Sequence, residues 1–106
     1  MAMQNLDGLV EPPRLQKPGS LWLQIGDRVL SIAFSEAAYC EPRNNLALPQ
    51  KLVEIAIFNE NMEGLDAELL HEAIGLDNGD SVAGYVGPGE LGEVIAFLVD
   101  RAKKNA

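Results

Sequence analysis

Four things are scarce in this 106-residue chain, and each scarcity excludes something. There is one cysteine, Cys40, so an internal disulfide and a multi-cysteine zinc site are both ruled out. There is one histidine, His71, which leaves a single imidazole for any acid–base chemistry. No apolar run approaches the roughly 20 residues of a membrane span, and the opening MAMQNLDGLVEPP carries no signal-peptide apolar core. Finally, residues 52–100 contain no Lys or Arg at all. A 49-residue stretch without a base cannot neutralise phosphates, which argues against nucleic acid and against an anionic membrane as partners.

What is present is acid and hydrophobic residues. The net charge is −8, from sixteen acids and eight bases, and it is unevenly placed. Residues 1–51 balance at zero, residues 52–100 carry eleven acids, and residues 101–106 add three bases. A hydrophobic content of 47% is too high for disorder. These features predict one globular, cytoplasmic domain with enough chain to close a core.

The chain divides into an extended N-terminal arm over 1–20 and a single domain over 21–106. Pro12, Pro13, Pro18 and Gly19 break regular structure in the arm. Residues 21–25 and 28–35 alternate in hydropathy around Gly26-Asp27, which predicts a β-hairpin with a II′-like turn. Residues 36–50 read as a long loop. Residues 52–58 (LVEIAIF) read as a central strand, apolar on both sides. Asp66 and Gly75 bracket a helix over 67–74, as N-cap and C′ residue. Residues 81–86 predict a short strand, and Pro88 starts a last helix to about Lys104. Glu90 and Glu93 lie near the positive end of that helix dipole, and Arg101, Lys103 and Lys104 near the negative end. The expected fold is α+β: a four-stranded mixed sheet in ββ-loop-βαβα order, with two helices packed on one face.

Strand parity separates two sheet faces. One collects Leu21, Leu23, Ile25, Leu30, Ile32, Phe34, Val53, Ile55, Ile57, Val82 and Val86, a natural bed for the helices. The other carries Trp22, Gln24, Val29, Ser31, Ala33, Ser35, Glu54, Ala56, Phe58, Ala83 and Tyr85, where aromatics stand among small side chains. Two helices cannot cover both faces, so the second must meet the arm, the 36–50 loop, another subunit or a ligand. Phe97 points off the apolar stripe of the last helix (Leu91, Val94, Ile95, Leu98, Ala102), and as an exposed ring it would favour self-association.

Several motifs fail on their own chemistry. Gly87-Pro88-Gly89-Glu90-Leu91-Gly92 matches G-x-G-x-x-G, but no βαβ unit follows and Glu90 would repel a pyrophosphate. Asp77, Asn78 and Asp80 suggest a calcium loop, yet the twelfth position is Pro88 rather than Glu. Cys40 and His71 share no spacing that brings thiol and imidazole together, and Glu68 and Glu72 beside His71 favour the charged ring. No catalytic set, metal site or cofactor emerges.

Three functions remain. The first is a non-enzymatic homodimeric binding module that uses the second face. The second is a small-ligand-binding protein or small enzyme with a pocket between that face and the 36–50 loop, lined by Trp22, Glu54, Phe58 and Tyr85 with Arg43 at the mouth. The third is an acidic inhibitor or immunity-type protein that binds a basic partner. The residues on which these readings rest are Trp22, Ser31, Arg43, Glu54, Phe58, Tyr85 and Phe97. Glu54 is a buried carboxyl in the pocket, a carboxylate at the sheet edge, or the ion-pair partner of Arg28 on the neighbouring strand.

Overall fold

A computed structural model of the chain describes residues 10–11, 13–17, 19–34, 52–75 and 80–105. Its elements are β1 (Arg14–Lys17), β2 (Ser20–Ile25), β3 (Arg28–Ala33), β4 (Val53–Phe58), α1 (Ala67–Ile74), β5 (Ala83–Val86) and α2 (Pro88–Lys104). The class is α+β, as the alternation of short strands and helices implied. The five strands form one sheet in the order β1-β2-β3-β4-β5, antiparallel throughout.

The antiparallel sheet corrects the expected mixed one. Strands 52–58 and 81–86 could be parallel only if the chain crossed the full length of the sheet between them. The connection between them makes no such crossing: α1 starts at the C-terminal end of β4, His71 near its end holds the Asp80 carbonyl, and β5 enters the sheet beside Ile55 and runs back to Val53. Leu65 bridges Phe58, and the Asp66 amide donates to the Ile57 carbonyl at 2.7 Å. The expected four strands are also one too few. Part of the N-terminal segment, Arg14–Lys17, adds an edge strand on β2, and Val10 bridges Ile25 further along.

The β2–β3 hairpin forms where the alternation put it. Its register pairs Trp22 with Ser31 and Leu23 with Leu30. Gly26 has φ +63°, and among the described residues only Met62 and Tyr85 are non-glycines with positive φ. A positive φ at the first turn residue alone is the II′ pattern. Glycine is needed here for a second reason. A Cβ at position 26 would stand 2.9 Å from the Ala102 Cβ of α2.

The core lies between one sheet face and both helices. Ile25, Leu30, Ile55, Ile57, Ala83 and Val86 meet Leu69 and Leu70 of α1 and Val94, Leu98 and Ala102 of α2. Full burial of each large side chain in this set contributes roughly 1.5–3 kcal/mol. The stripe read from α2 is the one buried, with Leu91 and Ile95 packed at its margin.

β5 departs from its expected parity. Val53 pairs with Val86 and Ile55 with Ala83, so Gly84 and Tyr85 together oppose Glu54. This extra residue is a bulge, and it turns both Ala83 and Val86 into the core. Ala83 therefore leaves the second face, and Val82 falls outside the strand and the core cluster.

α1 is capped by the residues named from sequence. Asp66 accepts from the Leu69 amide at 3.0 Å, and Gly75 ends α1 at φ +79°. At the start of α2 the Glu90 carboxylate accepts from the Gly87 amide at 3.4 Å, with Pro88 in the first turn. The glycine-rich corner thus turns an amide toward its own glutamate. No helix is long and apolar enough to cross a membrane among the described residues.

Candidate functional site

The second sheet face is built around a ring pair. Trp22 on β2 and Phe58 on β4 lie two strands apart, yet their ring centroids are 5.0 Å apart, at an interplanar angle of 59°. Such tilted aromatic pairs add about 0.5–1.5 kcal/mol beyond the area they bury. The registers Trp22↔Ser31↔Ala56 and Val29↔Phe58 set β3 between them. Ser31, small and directly beside Trp22, leaves room for the rings to meet across β3. Val29 is 2% exposed and Ala56 is buried on this same face, although both helices pack on the other. The face therefore holds a minor core of its own.

The remaining predicted residues scatter. Glu54 lies on the same face, opposite Ala33 and at the β5 bulge. Tyr85 is 48% exposed at that bulge, with φ +54°. Phe97 does not join them. It sits on α2, on the helix side of the sheet, half-buried against the main core. There it lines an open groove of about 350 Å³ with Leu69, Glu72, Asp100, Arg101, Lys104 and Asn105. Arg43, Cys40 and the rest of the 36–50 loop lie outside the described residues, and so does the pocket placed between that loop and the sheet.

Arg28 does not pair with Glu54. The two are at opposite ends of the β3–β4 ladder, where Ala33, not Arg28, faces Glu54. Arg28 turns instead to the helix side. Its Nε donates to Asp66 Oδ2 at 3.2 Å, and its Nη1 forms an ion pair with Asp27 Oδ2 at 2.9 Å. Asp27 Oδ1 in turn accepts from Arg101 Nη1 at 2.9 Å. Burial pushes the Asp27 carboxyl up, but the Arg101 hydrogen bond and the two guanidinium charges outweigh it and hold the group below its ordinary value. The sequence marks two members of this group, the turn residue Asp27 and the cap Asp66. Nothing in their spacing reveals that Arg28 and Arg101 join them.

His71 sits near the end of α1, and its Nε2 lies 2.6 Å from the Asp80 carbonyl oxygen. A carbonyl only accepts, so the proton of this contact is on Nε2. The bond ties α1 to the segment that leads into β5. Among the described residues, no three His, Cys, Asp or Glu side chains gather as a metal site would require. The chain matches no protein-family model, no curated protein and no solved structure.

Proposed function

We propose that this chain is a small non-enzymatic binding module that self-associates as a homodimer through its second sheet face. The observation that carries the reading is the Trp22–Phe58 pair, centred on the sheet face that neither helix covers. An isologous dimer brings the same patch together twice, and aromatic rings supply much of the binding energy in such patches. Tyr85, nearly half exposed, stands on β5, the strand beside β4.

Sedimentation equilibrium at tens of micromolar tests this directly. The expected mass is twice that of the chain, and Ser31→Arg, which sets a charge between the rings, should return it to one. A wild-type monomer at these concentrations overturns the reading. A second reading, capture of a basic protein, draws on Glu60, Glu63, Glu68 and Glu72, all exposed on the base-free stretch. Electrostatic steering would make that association fast and salt-sensitive. Neutralising all four should abolish capture of such a partner, and unchanged capture would eliminate it.

A further inference from the structure

We propose that Arg101, Asp27, Arg28 and Asp66 form a two-stage ionic clasp, whose outer pair opens with salt and whose inner pair opens only when the Asp66 charge is removed. The four side chains alternate in sign and join three elements: the last turns of α2, the β2–β3 turn with the start of β3, and the N-cap of α1. Asp27 is in contact with Arg28 and Arg101, and Arg28 with Asp27 and Asp66. Among the described residues, Lys104 and Asp100 on α2 form a further ion pair at 3.3 Å, with both side chains exposed.

Exposure separates the two stages. The Arg101 and Asp27 side chains are 24% and 48% exposed, whereas those of Arg28 and Asp66 are 12% and 22% exposed. Salt near 1 M shortens the screening length to about 3 Å, which weakens an exposed pair much more than a sheltered one. The inner pair cannot be relieved that way. Arg28 is nearly out of water and Asp66 is itself sheltered, so only loss of the Asp66 charge breaks the pair. When Asp66→Asn removes that charge, the start of α1 loosens while the apolar centre of the sheet still holds.

Two NMR observables follow the two stages: the Asp27 carboxyl titration, and the hydrogen-exchange protection of the Leu69 amide that Asp66 caps. Raising NaCl from 0.1 to 1 M should move the Asp27 titration up toward the ordinary carboxylate range and leave Leu69 protection within about twofold. Arg101→Gln should reproduce the salt effect at low salt. Asp66→Asn at 0.1 M NaCl should cut Leu69 protection at least about fivefold, and by more than at Ile55 in the central strand. The clasp is overturned if salt lowers Leu69 protection as much as Asp66→Asn does. It is equally overturned if Leu69 and Ile55 lose protection together, or if Arg101→Gln leaves the Asp27 titration where it was.

Discussion

Asp66 uses its two carboxylate oxygens on two different elements: Oδ1 accepts from the Leu69 amide at the start of α1, and Oδ2 accepts from Arg28 Nε on β3. The cap that begins the helix is thus also the group that docks the helix onto the sheet. Local helix chemistry and tertiary placement meet in one side chain.

The two roles separate by substitution. Asp66→Asn keeps an oxygen for the cap and removes the charge, at an expected cost of about 1 kcal/mol. Asp66→Ala removes both, and its cost should reach roughly 2–3 kcal/mol, from the lost cap and from an Arg28 left with Asp27 alone. Urea midpoints at constant m-value give both figures. Equal losses for the two variants would mean that the cap contributes nothing.

Gly26→Ala meets two obstacles. The positive φ costs a residue with a Cβ roughly 1–2 kcal/mol, and the new methyl would stand 2.9 Å from the Ala102 Cβ. The variant should therefore lose more stability than the backbone term alone. The double variant Gly26→Ala/Ala102→Gly should show favourable coupling, because the clash is gone while the φ strain and a helix glycine remain. Strict additivity in this cycle would place the whole effect in the turn.

Phe58→Ala removes one ring of the pair across β3. With Phe58 half-buried, the expected loss is about 2–3 kcal/mol, below the range for a fully buried ring. The chain has a single Trp, so fluorescence reports this site alone. The emission of Trp22 should shift to the red as water reaches the face. An unmoved spectrum would mean that Phe58 does not shield the indole.

Met62 occupies the left-handed region at φ +58° in the β4–α1 loop, and it is exposed. Asn59 holds the loop there, with its Oδ1 accepting from the amides of Asn61 and Glu63. Asparagine tolerates this conformation and has none of glycine's excess freedom in the unfolded chain. Met62→Asn should raise stability by about 0.5–1 kcal/mol in thermal melts. A lower midpoint would show that the Met62 side chain holds the loop through contacts of its own.

The Asp27 carboxyl is held below its ordinary value, so its contribution to stability has a defined sign in pH. That contribution is fully present above the unfolded-state value of about 4, and it is lost as pH falls through the lower folded value. Asp27 is half exposed, so the effect is modest. The stability difference between wild type and Asp27→Asn, measured by urea unfolding from pH 7 to pH 2, should shrink in that acid window. A difference that stays flat across it would remove Asp27 from the acid response.

Much of the local structure was legible in the sequence. The II′ turn at Gly26, the Asp66 and Gly75 caps, the Pro88 start of α2 and the buried stripe of that helix all follow from short-range rules. Period-two alternation likewise named the core residues on β2, β3 and β4. The errors came where a distant contact decided the outcome. One extra residue on β5 turned Ala83 into the core, and a bulge has no signature in a four-residue strand. The candidate site was legible to the extent that parity put Trp22, Ser31, Glu54 and Phe58 on one face. It was not legible for Phe97, because the turn of a helix places a side chain relative to its own axis only.

The sequence by itself therefore determined the segments that form β2 to β5 and both helices, the residues that cap α1 and start α2, and which face of most strands is apolar. These are properties of a few neighbouring residues, set by φ preferences and by the periods of strand and helix. Only the tertiary structure decided the antiparallel direction of β5, the addition of β1, the meeting of Trp22 with Phe58 across β3, and the choice of Asp27 and Asp66 over Glu54 as partners of Arg28. Each of these joins residues far apart in the chain, and its energy exists only once the sheet and helices have brought them within a few ångströms.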